Sequence, residues 1–440
     1  MHKFINDIFS PNKICCVWVL VLLSFAVNAQ EIASLNQLFS NNINNTGSFH
    51  FHYSLDGKTL MDKSYSSGSK NVGKNTAIKI SSASESIVSA VVLSLWDEGL
   101  LKLDDPVSKF LPQFRGEMSK ITILQLLSHT SGLPSNSIYL HDENLNLKFS
   151  VNNIAKNLSI NTPPGTEFSY GAVGYQILGR VAEIVSEDTW ENIIARKITQ
   201  PCGMSNTYYR KGKSINVAED IVSTAADFEQ FLSMLLNKGQ LNGKQVLSER
   251  AINEMISDQT SKYPVGYAPY RYQKEGFSGY YGLGVWIDRL KEDGTVTEIS
   301  TQGAKGFTAW VNFCNKSKGM FAIYGDLKYS QPVIGATRSY LTENYATACK
   351  DISSKALSKK LKNSKGATYT NITFELYREA NVNLRLYDPL GNELQELIDG
   401  DLKKGNYNFP VDISELSSGV YFYRLKIDDK VETKKLTIRK

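Results

Sequence analysis

The chain has 440 residues, of which 42% are apolar and 21% are charged, and its formal net charge is +5. This length allows about two or three domains, and the composition is that of an ordinary globular protein. The small positive excess is not gathered into a dense basic block, so we expect no nucleic-acid partner.

The first 29 residues have the pattern of a signal peptide. Lys3 and Lys13 precede an apolar run that ends at Val27, and Ala29 completes a small-x-small cleavage site. The run is short for a membrane span of about 20 residues, which favours cleavage after Ala29 over an uncleaved anchor. We therefore expect an exported chain with no transmembrane segment after signal removal.

Three cysteines would remain in the mature chain, namely Cys202, Cys314 and Cys349. An odd number allows at most one internal disulfide, and buried structural cysteines are the simplest expectation. The cysteine spacings match no zinc pattern, and the five histidines are scattered. We predict no metal site and no cofactor.

Two strands and a helix are predicted near the start of the mature chain. Alternating apolar and polar residues over 47–66, with a turn at Asp56-Gly57, indicate a β-hairpin. Apolar residues at helical spacing follow Ser82, and Gly99 is the expected stop of a broadly buried helix.

The order of the later elements indicates the fold class. Residues 121–236 are mostly helical in pattern, strands return over 280–326, and a helix near 333–352 completes the domain. This order predicts an α+β fold, in which an antiparallel sheet is covered by helices and a helical lobe lies beside it. A site is expected in the groove between the two.

A composition change separates the C-terminal region from the rest. Residues 353–366 are rich in Ser and Lys without an apolar period, which is typical of a linker. Residues 367–440 alternate in hydropathy between turn signals, which predicts a small all-β sandwich. The domains are therefore expected at 30–352 and 367–440.

Three sequence phrases connect residues 39–352 to a known family. They are DDPVSKFLP at 104–112, LLSHTSGL at 126–133 and PPGTEFSYGAVGYQILG at 163–179. In these phrases the chain resembles the class C β-lactamase-like group of penicillin-binding serine hydrolases. That group also contains esterases, D-amino-acid peptidases and carboxypeptidases, so the resemblance implies their β-lactamase/transpeptidase-like fold and a serine nucleophile.

The C-terminal region resembles the sorting domain of type IX secretion substrates. The phrases that carry this resemblance are VNLRLYDPLGNE at 382–393 and SSGVYFYRL at 417–425. The resemblance implies Sec export, passage through the outer membrane by the type IX secretion machinery and a location at the outer cell surface. A carbohydrate-binding or adhesive β-module is the alternative.

The first catalytic motif of the family, Ser-x-x-Lys, is altered. The resemblance places Ser82 at the nucleophile and Glu85 at the position of the activating lysine. A carboxylate can act as a base, but its charge opposes an oxyanion by about 4 kcal/mol at ~4 Å and an effective dielectric of ~20. Ser-x-x-Glu at a helix start is also a capping box, and this structural role is the one we expect.

The second motif, Tyr-x-Asn, keeps its tyrosine as Tyr170 and has Ala172 in place of the asparagine. Tyr170 is therefore a candidate proton relay, although a base needs a lowered pKa and the negative charge of Glu85 would raise it. His129 matches a loop histidine that is structural in the family.

The third motif, a basic residue followed by a small residue and Gly, is replaced by Thr301, Gln302 and Gly303. We predict that these residues line the ligand groove. Lys305 could replace the missing cation there, but an exposed loop lysine is the simpler expectation.

Three functional hypotheses follow. The first is a secreted pseudoenzyme, non-catalytic or weak, whose groove binds a peptidoglycan fragment, a peptide or another surface ligand. The second is an active serine hydrolase of esterase or peptidase type, in which Ser82 attacks small esters or amides with Glu85 or Tyr170 as base. The third is a structural or adhesive surface protein in which the groove has no role.

Overall fold

The structure is a computed structural model, and it describes residues 32–68, 70–209, 214–269, 278–291, 293–345, 369–389, 391–402, 405–413 and 416–438. The expected signal peptide (1–29), the linker (353–366) and Cys349 lie outside the described residues. Within those ranges, none of the helices combines the length and the apolar character that a membrane crossing requires.

The first domain is built on a seven-stranded antiparallel sheet with the strand order β10-β11-β12-β13-β14-β1-β2. The strands of this domain are β1 (Ser48–Leu55), β2 (Lys58–Tyr65), β3 (Ile78–Lys79), β4 (Phe168–Ser169), β5 (Tyr208–Tyr209), β6 (Ile221–Ser223), β7 (Gln240–Leu241), β8 (Lys244–Gln245), β9 (Val265–Tyr267), β10 (Tyr280–Tyr281), β11 (Trp286–Leu290), β12 (Val296–Gln302), β13 (Thr308–Asn312) and β14 (Ser317–Tyr324). The predicted hairpin is confirmed as β1 and β2, with Asp56 (φ 45°) and Gly57 (φ 77°) in the turn.

Helices cover this sheet and form a lobe beside it. They are α1 (32–46), α2 (Ser84–Asp97), α3 (Ile123–Leu127), α4 (Leu147–Asn157), α5 (Val173–Ser186), α6 (Trp190–Ile194), α7 (Ala225–Leu236), α8 (Glu249–Ile256) and α9 (Leu327–Tyr345). The main apolar cluster runs through α2 and the helical lobe, and a second cluster joins β1 to α1 and α9. The predicted α+β fold is confirmed.

The helix that carries the first motif is buried over nearly its whole length, from Ser84 to Leu95. Its predicted stop at Gly99 is confirmed, since Gly99 has φ 74°. The Gly99 and Leu100 N–H groups donate to the carbonyls of Trp96 and Leu95, which is the Schellman ending of a helix.

The last helix of this domain begins earlier than the sequence predicts. Helix α9 starts at Leu327 and contains Pro332, whereas the expectation was a start near 333. The predicted start was wrong, because the helix extends on the N-terminal side of Pro332 as far as Leu327. In the structure the Ser330 hydroxyl donates to the Asp326 carbonyl at 3.0 Å, and the helix continues through Pro332.

The C-terminal strands form a separate all-β unit, as predicted. A two-stranded sheet pairs β15 with β18, and a four-stranded sheet has the order β17-β16-β19-β20. One apolar cluster, which includes Ile372, Val382 and Leu425, fills this unit. The strands are β15 (Tyr369–Leu376), β16 (Ala380–Tyr387), β17 (Glu393–Leu402), β18 (Gly405–Asp412), β19 (Gly419–Ile427) and β20 (Lys430–Ile438).

The cysteines agree with the expected limit of one internal disulfide. Cys314 is disulfide-bonded, whereas Cys202 is a free buried cysteine. Burial raises the pKa of the Cys202 thiol to about 12, so it stays protonated and acts as a small apolar group.

Candidate functional site

The backbone before Ser82 turns sharply from a short strand into a helix. Strand β3 pairs with β6, and the Ile80 N–H donates to the Ile221 carbonyl at 3.0 Å. Ser81 then has φ 50°, which is uncommon for a residue with a side chain and stores strain. A 3₁₀ turn over Ser81–Ala83 leads into α2. This turn places the half-buried Ser82 one helical turn before Glu85.

The Glu85 side chain points into the protein and is 2% exposed. The Tyr281 hydroxyl donates to Oε2 of Glu85 at 2.9 Å, and Nε2 of His129 lies 3.3 Å from the same oxygen. These two donors satisfy a buried carboxylate that would otherwise be costly.

The predicted capping box at Ser82 and Glu85 is wrong. The residue that caps α2 is Ala83, and its side chain makes no capping bond. Glu85 turns inward because two buried donors meet it there. A capping box does form at the start of α3, where Thr122 and Gln125 bond reciprocally.

The hydrogen bonds of His129 show which of its two ring nitrogens carries the proton. The Gly171 N–H donates to Nδ1 of His129 at 3.3 Å, so Nδ1 is the acceptor and the proton lies on Nε2, facing Glu85. His129 follows α3 with φ 56°, and the Thr130 N–H closes the helix end on the Gln125 carbonyl. With this left-handed backbone, the imidazole of His129 contacts Glu85 on α2, the helix that follows Ser82.

Two tyrosines extend this buried network. Tyr175 donates to the Leu127 carbonyl at 3.0 Å and lies 3.1 Å from the Ser89 hydroxyl. Burial, and after it the charge of Glu85, raises the pKa of Tyr175 and of Tyr281 well above the ordinary value. Both phenols therefore stay protonated and act as hydrogen-bond donors, not as bases.

Tyr170 is packed among aromatic rings and is 7% exposed. Its ring stacks on Trp286 at 5.6 Å and 23°, and it lies 4.4 Å from the His129 ring. The Tyr170 N–H donates to the Tyr267 carbonyl at 2.9 Å. The second motif is thus fixed next to the Glu85–His129 pair. Ala172, which stands in place of the asparagine of the second motif, donates its N–H to the Ser135 carbonyl.

The third motif packs tightly against the turn before Ser82. The Thr301 hydroxyl donates to the Ala83 carbonyl at 3.4 Å. A Cβ at Gly303 would lie 2.0 Å from the Ile80 carbonyl oxygen, so the close approach at Gly303 is to the protein's own backbone. Gln302 is 5% exposed, and its Oε1 has no partner among the described residues.

No described cation reaches the Ser82 hydroxyl. Lys305 is exposed and forms no ion pair or hydrogen bond with the described residues. Lys79 pairs with Asp220 at 2.8 Å. Glu219, next in the chain to Asp220, has a pKa raised by burial despite the opposing effect of Lys79. In the described ranges, no group of His, Cys, Asp and Glu could hold a metal ion.

The structure places the Glu85 carboxylate beside His129, whose ring contacts Tyr170, and it packs Thr301 and Gly303 against the turn that carries Ser82. It adds Tyr281, Tyr175 and Gly284, which sequence reasoning missed. Gly284 has φ 78°, and a Cβ there would lie 2.6 Å from the Glu85 carbonyl oxygen. The Gly-Leu-Gly pattern before β11 is a weak signal for such a close approach, and nothing in the sequence links Tyr281 to Glu85.

Known proteins share this architecture. The family model for β-lactamase matches residues 48–341, and that for the secretion system C-terminal sorting domain matches 367–439. A Bacteroides dorei DSM 17855 crystal structure, provisionally assigned as a β-lactamase, is 26% identical, with a TM-score of 0.63 over 71% of this chain and 98% of that one. The octameric penicillin-binding protein homologue from Pyrococcus abyssi shows the same fold at 18% identity, with a TM-score of 0.62 over 93% and 96% of the two chains.

Curated relatives match over shorter segments. Staphylococcus aureus Protein flp is 30% identical over 172 residues, which is 36% of this chain and 34% of that protein. Penicillin-binding protein 4 of Amycolatopsis lactamdurans is 28% identical over 137 residues, which is 30% and 36% of the two chains. The alignments thus span about a third of these relatives' own length.

The matched family model covers well over half of the chain, and the fold and the altered motifs lie within it. The tail carries a sorting domain, which implies handling by the type IX secretion machinery. The chain therefore belongs to the β-lactamase family of penicillin-binding-protein-like serine hydrolases, with a C-terminal secretion sorting domain.

Proposed function

We propose that this chain is a non-catalytic or very weak member of its family that binds a ligand in the groove beside Ser82. One observation carries the proposal. The only carboxylate one helical turn from Ser82, that of Glu85, is bonded to Tyr281 and His129. Among the described residues, no side chain hydrogen-bonds to the Ser82 hydroxyl.

Acylation of a serine needs a group that takes its proton and a site that stabilises the oxyanion. The Glu85 carboxylate is held by Tyr281 and His129, and its charge would oppose the oxyanion even if it rotated toward the hydroxyl. Tyr170 is fixed by ring packing on Trp286 and His129. These observations favour binding over turnover.

The names of the relatives suggest the class of ligand. One curated relative is a penicillin-binding protein, and a structural neighbour from Yersinia pestis is a β-lactamase/D-alanine carboxypeptidase. We infer from these names that the ligand is a peptidoglycan fragment or a related peptide. β-Lactam turnover is disfavoured because Ala172 and Thr301 replace the polar and basic groups that the family motifs supply.

Ester hydrolysis and ligand binding test this proposal together. Hydrolysis of p-nitrophenyl butyrate by the wild type should equal that by Ser82→Ala. A soluble muropeptide should bind the wild type and lose affinity in Ser82→Phe, which fills the groove, but not in Ser261→Phe at an exposed loop. Hydrolysis that disappears in Ser82→Ala would instead establish the active serine hydrolase with Glu85 or Tyr170 as base. Failure of the muropeptide to bind would overturn the ligand assignment.

Export is the second part of the proposal. We propose that residues 1–29 direct Sec export, that the catalytic-type domain spans 30–352, and that 367–440 direct passage to the outer cell surface. A reporter placed between residues 1–29 and 367–440 should reach the surface of a host with type IX secretion. The same reporter without 367–440 should stay in the periplasm. Surface display of both would contradict the assignment.

A further inference from the structure

A second concave site lies on the helical lobe, and none of the groove residues described above lines it. It is a cleft of about 690 Å³ between α4, α5 and the loop that connects α2 to α3. Ligand-binding clefts for small molecules typically have volumes of about 300–1,000 Å³. The size of the cleft therefore suits a small molecule.

The charged side chains that line the cleft are all positive. They are Arg115, Lys148, Lys156 and Arg180. Arg180 pairs with Glu183 at 2.7 Å. The other three form no ion pair within the part of the chain that the structure describes. Concave surfaces lined by one sign of charge concentrate the potential and attract ligands of opposite charge.

The floor of the cleft is apolar. Phe110, Met118, Ala155 and Ile184 line it, and all four are partly buried side chains at the edge of the main apolar cluster. Gln113 and Asn152 also line the cleft, and Nε2 of Gln113 donates to Oδ1 of Asn152 at 2.8 Å. The cleft thus presents an apolar surface under a positively charged rim.

The spacing along α4 explains how the sequence makes this surface. Lys148, Asn152 and Lys156 recur every four residues and share one face of the helix. The opposite face, with Val151 and Ile154, is buried against the lobe. Arg180 and Ile184 have the same spacing on α5.

We propose that this cleft binds a small amphiphilic anion, with an apolar body on the floor and a phosphate, sulfate or carboxylate group at the rim. Arginine is suited to such groups because its guanidinium can form two parallel hydrogen bonds with them. The same chemistry is offered by a free amphiphile and by the headgroup region of an anionic lipid.

Titration calorimetry with decyl phosphate, below its micelle-forming concentration, tests the proposal on the full mature chain. The wild type should bind decyl phosphate more tightly than decanol, which lacks the charge, and than inorganic phosphate, which lacks the apolar body. A Lys148→Ala/Lys156→Ala double variant should bind at least about tenfold more weakly. The Lys102→Ala/Lys244→Ala variant removes two exposed lysines outside the cleft and should bind like the wild type.

Thermal unfolding of each variant shows whether it remains folded. Met118→Gln tests the apolar floor separately, because it replaces an apolar side chain of the floor with a polar one. A second experiment measures binding of the protein to phosphatidylglycerol vesicles. Vesicle binding that depends on Lys148 and Lys156 would identify the ligand as a lipid headgroup. Binding of decyl phosphate without vesicle binding assigns a free amphiphile. Equal affinity of the wild type and the Lys148→Ala/Lys156→Ala variant would overturn the proposal, as would no binding of decyl phosphate at about 1 mM.

Discussion

The Tyr281 hydroxyl donates a 2.9 Å hydrogen bond to Oε2 of Glu85, and the two residues are 196 positions apart in the chain. His129 approaches the same oxygen at 3.3 Å. A carboxylate at the position of the family's lysine is thus bound on its inner side by two buried donors. Glu85 is therefore part of the packing between α2, which follows Ser82, and the sheet strand that carries Tyr281.

Removal of the Glu85 carboxylate should destabilise the fold. In Glu85→Ala the Tyr281 hydroxyl and the His129 N–H lose their acceptor and a small cavity forms, so the free energy of unfolding should fall by about 3 kcal/mol. Glu85→Gln keeps one acceptor oxygen and should lose about 1–2 kcal/mol. Urea unfolding of both variants measures these losses.

A double-mutant cycle with Tyr281→Phe isolates the bond itself, and its coupling energy with Glu85→Ala should be about 1–2 kcal/mol. Glu98→Ala, at the exposed end of the same helix, is the matched control. It removes a surface ion pair with Lys197 and should change stability by less than about 1 kcal/mol. Equal losses in Glu85→Ala and Glu98→Ala would contradict the buried network.

The sequence predicts most of the strands, helices and turns around this site, but it does not predict the hydrogen bonds of Glu85. The turn at Asp56-Gly57 and the helix end at Gly99 have local signals, since each needs a backbone that glycine favours. The orientation of Glu85 has no such signal, because Ser-x-x-Glu is equally compatible with a capping box and with a buried acceptor. The hydrogen bond from Tyr281 favours the buried orientation of Glu85, and only the tertiary fold brings Tyr281 close to it.

Gly284 should tolerate no side chain. An added Cβ would lie 2.3 Å from the Ser89 hydroxyl and 2.6 Å from the Glu85 carbonyl oxygen, at φ 78°. Gly284→Ala should therefore cost about 3 kcal/mol or more in urea unfolding.

Gly294→Ala is its matched control, because Gly294 has φ 82° and nothing lies within 4 Å of the added Cβ. Backbone strain alone should cost about 1 kcal/mol there. If the two variants lose similar amounts of unfolding free energy, close packing of Gly284 against α2 is not important for stability.

Two buried histidines on β1 should make stability depend on pH. Burial lowers the pKa of His50 and of His52 from 6.5, and the nearby carboxylates of Asp62 and Glu229 offset this only in part. As pH falls below 6.5, the unfolded chain takes up protons that the folded chain does not. The contribution of His50 and His52 to the free energy of unfolding should therefore decrease from pH 7 to pH 5.

Urea midpoints at pH 7, 6 and 5 measure this dependence. The slope should be smaller in a His50→Asn/His52→Asn variant and unchanged in His141→Asn, since His141 is exposed. Lys74 and Lys318 also face these histidines, since they pair with Asp62 and Glu229. A slope that is the same in the double variant as in the wild type would rule out these histidines as its source.

Restoring the family's lysine should restore some reactivity at Ser82. In Glu85→Lys an amine replaces the carboxylate one turn from the hydroxyl, and labelling of Ser82 by a fluorophosphonate should rise by about tenfold or more. Glu85→Met removes the charge without supplying an amine and should show no such rise. Thermal unfolding of both variants confirms that the comparison is between folded proteins, and equal labelling of the two would contradict a limiting role for the missing base.

Intact-mass measurement of the wild-type protein after exposure to a fluorophosphonate tests the impaired reactivity of Ser82 most directly. With Glu85 bound to Tyr281 and His129, we expect at most a slow adduct, formed at a rate close to that of Ser82→Ala. Rapid stoichiometric addition to the wild type that is absent in Ser82→Ala would show an activated nucleophile and contradict this account.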